Sequence, residues 1–99
     1  MLQELTPSSF EAHLGSPLHI HYGAAAPLEA VLQGVRRHEA HPGPRAEPFS
    51  VYLRSPRQGA LPQAIYRVEH PALGALELFL VPIGPDPKLG GMVYEAVFN

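Results

Sequence analysis

Ala64-Ile65-Tyr66-Arg67-Val68-Glu69-His70-Pro71-Ala72-Leu73-Gly74-Ala75-Leu76-Glu77-Leu78-Phe79-Leu80-Val81 holds two runs of strand-forming residues around a segment bearing proline and glycine, the pattern of an antiparallel hairpin. Folded about Ala72, it sets Tyr66 opposite Leu78 and Val68 opposite Leu76 on one face. On the other face Arg67 meets Glu77 and Ile65 meets Phe79. Apolar and opposite-charge cross-strand pairs are each worth about 0.2–1 kcal/mol. A slip of one residue would set apolar against charged groups throughout, so the pairs fix the register. Pro71 sets φ in the turn, Gly74 supplies the permissive φ needed to leave it, and His70 or Glu69 caps a turn amide. His70, Pro71 and Gly74 are therefore read as a structural turn. Glu69 and His70 do not form an acid–base pair, because neighbours on a strand point to opposite faces.

Outward from the hairpin, Met92–Phe98 is rich in β-formers, and Phe49–Arg54 alternates with period two,. Leu18-His19-Ile20-His21-Tyr22 alternates as well, directing Leu18, Ile20 and Tyr22 inward,. Twelve prolines cut the 99 residues into short segments, which suits strands and turns better than long helices. The stretch from Thr6 to Gly15 reads as one short helix with Phe10 and Leu14 on a shared face, plugging one end of the core. Leu28, Val31, Leu32 and Val35 lie at i, i+3, i+4 and i+7, and Pro27 suits a first helical position,. Leu28, Ala30 and Leu32 equally satisfy a strand alternation, and Gly34 weakens a helix. Residues 38–48, 55–63 and 84–91 read as loops. The expectation is a single domain, 1–99, mainly β: an antiparallel barrel or strongly curved sandwich of about six strands with one short N-terminal helix.

Composition excludes several functions. A formal charge of −2 with seven Lys and Arg leaves no basic footprint for nucleic acid, and the pair Arg36-Arg37 reads as solvated. With no cysteine there is no disulfide framework, thiolate nucleophile or thiolate-held zinc. No serine sits in a Gly-x-Ser-x-Gly elbow, and Gly90-Gly91 after Lys88 lacks the spacing of a phosphate loop. An enzyme is not expected, nor a cofactor. Met1–Leu5 lacks the features of a signal peptide. The longest apolar run, Leu78–Ile83, is far too short to span a membrane as a helix, so a cytoplasmic protein without a membrane partner is expected.

Leu61-Pro62-Gln63, Tyr66-Arg67-Val68-Glu69-His70-Pro71, Leu73-Gly74, Leu78-Phe79-Leu80-Val81-Pro82-Ile83-Gly84 and Tyr94-Glu95-Ala96-Val97-Phe98-Asn99 resemble an uncharacterised family of small bacterial proteins. That family is a domain of unknown function of about this length. Weaker likeness extends through Leu5-Thr6, Phe10 and Leu14-Gly15. The resemblance implies an all-β domain after a short helix, with a strand over Leu28 to Val35, and a genomic setting beside phage-tail-like or tail-collar-type proteins. Gly23-Ala24-Ala25-Ala26 and the Pro-rich segment 38–48 depart from the family pattern. No activity comes with the resemblance.

Two candidate sites remain. His19 and His21 place imidazoles on one face of a strand about 7 Å apart, a spacing used in some metal sites. A third ligand would have to come from His13, His38, His41 or a carboxylate such as Glu11. The second candidate is the outer face of the hairpin, with Ile65, Arg67, Glu77 and Phe79. Apolar residues on both faces imply that the outer one is covered by the N-terminal helix, a loop or another protein. The strand 93–98 is a further candidate, as an exposed edge open to β-addition unless barrel closure pairs it. The leading expectation is a non-enzymatic interaction or assembly module with a protein partner or its own copy, accessory to a phage-tail-like or surface structure. The alternative is a small metal- or ligand-binding barrel using His19 and His21.

Overall fold

The computed structural model describes residues 5–39 and 47–98. A short helix, α1 (Pro7–Glu11), precedes six strands: β1 (Pro17–His21), β2 (Leu28–Arg37), β3 (Phe49–Ser55), β4 (Ala64–His70), β5 (Gly74–Pro85) and β6 (Met92–Phe98). They form a closed antiparallel barrel in the order β1-β2-β3-β6-β5-β4, and β1 pairs with β4 to complete it. The barrel, rather than the curved sandwich, is the form adopted.

The β4–β5 hairpin has the register read from its sequence, with Ile65 opposite Phe79, Tyr66 opposite Leu78, Arg67 opposite Glu77 and Val68 opposite Leu76. Val68 and Leu78 are buried, while Ile65 and Phe79 face outward. Gly74 leaves the turn at φ 80°. His70 Nδ1 accepts the amides of Ala72 (3.0 Å) and Leu73 (3.1 Å), which makes it the turn cap. Glu69 points to the opposite face and bonds His21, so it and His70 do not meet.

Residues 28–37 are a strand, and the helical spacing within them has a structural origin. Before Gln33 the even-numbered Leu28, Ala30 and Leu32 turn inward and are buried. A bulge shifts the pairing between Leu32, opposite Leu53, and Gly34, opposite Tyr52, so that Val35 meets Val51 and packs on the core. An extra residue in a strand reverses its alternation. The inward set 28, 32, 35 therefore mimics the stripe of a helix while lying on a bulged strand.

In α1, Pro7 occupies the first turn and the Thr6 amide donates to Ser9 Oγ (3.0 Å), which suits a helix start. The helix ends at Glu11, and the chain turns through residues 12–15 to Gly15 at φ 85°. Phe10 enters the core as expected, but Leu14 lies beyond the helix and is 50% exposed. The expectation that both residues plug the barrel end is corrected for Leu14. Its spacing from Phe10 defines a shared face only if the helix continues. The rings of Phe10, Phe49 and Phe98 form one cluster, with Phe49 stacked on Phe98 at 4.5 Å and 6.0 Å from Phe10. Arg37, at the end of β2, donates to Glu11 (2.8 Å) and Glu47 (3.1 Å). The hydrogen bond and charge of Glu11 raise its guanidinium pKa further.

The interior is filled by Ile20, Leu32, Phe49, Val51, Leu53, Val68, Leu80 and Tyr94. The amide of Leu61 donates to the Tyr94 hydroxyl oxygen at 2.8 Å, which ties the β3–β4 loop to the core. Strand β6 pairs with both β3 and β5. Barrel closure, the condition set for 93–98, pairs 93–95 on both sides, whereas 96–98 have partners on β3 alone in these ladders,. Among the described residues no helix is long and apolar enough to cross a membrane.

Candidate functional site

The outer faces of β4, β5 and β6 carry an apolar row. Ile65 lies opposite Phe79 across β4 and β5. On the β5–β6 side the ladder ends with Val81 opposite Glu95, and Phe79 and Val97 lie two residues beyond that end, each on its own strand. Ile65 is 67% exposed and Phe79 and Val97 are each 50% exposed. Three neighbouring strands therefore each present a large apolar side chain to solvent. Of the coverings expected from sequence, neither α1 nor a loop among the described residues buries them. At the β5–β6 turn, Ile83 and Leu89 are also exposed.

Polar groups frame the row. Arg67 and Glu77 sit opposite each other on one side, but the Arg67 guanidinium reaches along its own strand to Glu69 (3.6 Å). On the other side Tyr52, level with Glu95 across β3 and β6, donates its hydroxyl to that carboxylate at 3.0 Å. Burial and then this bond raise the Tyr52 pKa, so the phenol stays protonated and keeps donating at neutral pH. An apolar centre with a charged and hydrogen-bonding rim is the general anatomy of a docking surface.

His19 and His21 do share the outer face of β1, but they turn to different carboxylates. His19 Nε2 lies 3.9 Å from Glu29 Oε1 on β2, and His21 bonds Glu69 on β4. Candidate third ligands lie elsewhere: His13 packs on His70, Glu11 is taken by Arg37, and His38 bonds Ser50 at 2.7 Å. His41 lies outside the described residues. Among those described, no three histidines, aspartates or glutamates are grouped to hold a metal ion.

One constellation was not visible in the sequence. Ser16 Oγ lies 2.7 Å from Nε2 of His70, the distance of a nucleophile and its base. The proton positions rule that chemistry out. Nδ1 of His70 accepts two amide N–H groups, so the neutral ring carries its proton on Nε2 and donates it to Ser16. The Ser16 hydroxyl in turn donates to the carbonyl of His13. A general base needs the opposite tautomer, with Nε2 free to accept. The pair is a clasp between the start of β1 and the β4–β5 turn. Ser16 and His70 are 54 residues apart, and only the β1–β4 pairing, which local pattern does not reveal, brings them together.

Searches of curated proteins and of solved structures gave no match. The model of the family described as a domain of unknown function (DUF6916) matches residues 5–98, and the protein belongs to that family.

Proposed function

We propose that this protein is a non-enzymatic interaction module that docks a protein partner on the outer face of β4, β5 and β6. The observation that carries the reading is the exposure of Ile65 and Phe79, paired across β4 and β5, together with Val97 on the neighbouring strand β6. Apolar side chains fixed on a closed barrel lose little conformational freedom when a partner covers them, which favours affinity. The filled interior and the structural tautomer of His70 support the non-enzymatic half of the reading. The contacts this face offers are exposed side chains, so the partner engages side chains and does not add a strand. A role beside phage-tail-like or surface structures follows from the family resemblance and selects the first partners to try.

The test is size-exclusion chromatography of the protein alone and with the products of its neighbouring genes. A complex or a self-associated form is expected. The double substitution Ile65→Ser and Phe79→Ser should abolish it, since truncating a central aromatic anchor typically costs about 2 kcal/mol or more. Both sites are exposed, so the melting temperature should change little. Failure of every neighbour to co-elute, with a strictly monomeric protein, would sink the proposal.

The alternative of a metal-binding barrel has weaker support, because His19 and His21 are engaged by separate carboxylates. Zinc, nickel or copper in excess is expected to leave the melting temperature unchanged. A site that binds only the native state would add about 2.7 kcal/mol of stability at a hundredfold excess over Kd, so a clear rise in melting temperature would restore the metal reading.

A further inference from the structure

We propose that His70 is an acid-released latch that, while neutral, holds the β4–β5 turn to the segment leading into β1. The geometry uses both ring nitrogens at once. Nδ1 accepts the amides of Ala72 (3.0 Å) and Leu73 (3.1 Å), and Nε2 meets Ser16 Oγ (2.7 Å). A proton arriving at Nδ1 turns an acceptor into a donor facing two donors, and all three groups then repel. No tautomer or ring flip restores the set, because imidazolium donates from both nitrogens.

The surroundings reinforce this. His70 is only 5% exposed, and the His13 ring packs on it with centroids 5.0 Å apart. Burial first, and the charge of His13 second, lower the His70 pKa. The carboxylates on neighbouring elements do not offset this: Glu69 on β4 faces outward to His21, Glu77 on β5 lies on the outer face opposite Arg67, and Glu11 of α1 is held by Arg37. On β1, His19 lies on the outer face near Glu29. The imidazole of His13 is thus the group that acts on His70, and its charge opposes a second one.

The sign follows. With a folded pKa below the unfolded value of about 6.5, the unfolded chain binds more protons across that window. Stability from the latch is full above it and declines as pH falls toward the folded pKa. The first part released is the turn at 71–73, which loses its Nδ1 acceptor, and not the segment 13–16, to whose Ser16 the imidazolium still donates from Nε2,. The latter is also tied to β2 through the amide of Gly15 on the carbonyl of Leu32 and the amide of Leu32 on the carbonyl of Ser16. The latch is independent of the docking row, which lies toward the other end of the hairpin.

The test is NMR on the intact chain between about pH 7.5 and 4.5, following the ring nitrogens of His70 and hydrogen exchange at Ala72 and Leu73. Above the transition Nδ1 should show the shift of an unprotonated nitrogen. Through the transition, exchange at the two amides should accelerate severalfold beyond its intrinsic pH dependence, while Val68 and Leu78 stay protected. His70→Asn keeps an acceptor for the turn amides but cannot titrate, and should abolish the acceleration. His13→Gln leaves the cap in place and removes the neighbouring charge, so the midpoint should move to higher pH. The latch is overturned if His70 titrates without any change at Ala72 and Leu73, or if the acceleration persists unchanged in His70→Asn. Should His70→Asn not fold, His13→Gln must move the titration of His70 and the acceleration at Ala72 and Leu73 together, and an acceleration whose midpoint departs from that of His70 overturns the latch.

Discussion

Phe49→Ala is expected to cost about 3–5 kcal/mol, the range for emptying an aromatic from a packed core. Domains of this kind have only about 5–15 kcal/mol of stability in total. Phe49 is fully buried, stacks on Phe98 and touches Phe10, so its loss leaves a cavity shared by α1, the start of β3 and the end of β6. Phe10 is the buried apolar residue by which α1 enters the core. Without Phe49 the helix should detach before the barrel opens. Urea denaturation followed by circular dichroism checks the size of the effect, and amide exchange in α1 checks the order. A loss below about 1 kcal/mol would show that the three-ring cluster does not hold this end of the barrel together. Phe49→Leu, which keeps most of the volume, should cost much less.

Gly91→Ala is expected to be nearly as damaging for a different reason. Gly91 has φ 76°, and a Cβ built on it would lie 2.0 Å from the carbonyl oxygen of Ser55 and 3.0 Å from Cα of Pro56. Both obstacles are backbone, so no side-chain rotation relieves them. The left-handed conformation costs a non-glycine residue about 1–2 kcal/mol, and displacing the end of β3 adds to that. Gly90 is an internal control: its φ is 75°, yet nothing lies within 4 Å of its Cβ position. Gly90→Ala should show the conformational cost alone, about 1–2 kcal/mol. The difference between the two melting temperatures then isolates the contact with Ser55. Equal shifts would mean that the β5–β6 connection moves freely away from β3. That would be surprising, because Arg54 donates to the carbonyls of Leu89 and Gly90. Asp86 also holds the loop through the amides of Lys88 and Leu89, and these bonds lower its pKa.

The sequence was most informative where structure is local. The β4–β5 register could be worked out because complementary pairs flank a short turn, and His70 could be assigned to that turn because a cap acts over two or three residues. Strand β2 shows the limit of pattern: the bulge at Gln33 converts a period of two into spacings of four and three, and periodicity alone favours the wrong element. The family resemblance, which reflects the strand as a whole, corrected it. Leu14 misled in the opposite direction, since its spacing from Phe10 had meaning only within a helix that stops at Glu11. Contacts between distant segments were not legible. The clasp of Ser16 on His70, the separate carboxylates that engage His19 and His21, and the placing of Val97 on a strand next to that of Phe79 all depend on which strands become neighbours around the barrel.

The seam between β1 and β4 sets how the chain must fold. His19 pairs with Glu69, so the last ladder joins residues about fifty positions apart, whereas β4 and β5 meet across a tight turn. Loop-closure entropy is spent before a distant pairing returns any energy, and domains rich in such pairings fold in milliseconds to seconds. The β4–β5 hairpin can form early, but β1 holds only β2 until the rest of the sheet curls round to it. During that interval the free side of β1, with its backbone donors and acceptors unpaired, is the segment most open to another chain. Chaperone demand and misassembly should therefore concentrate at this seam.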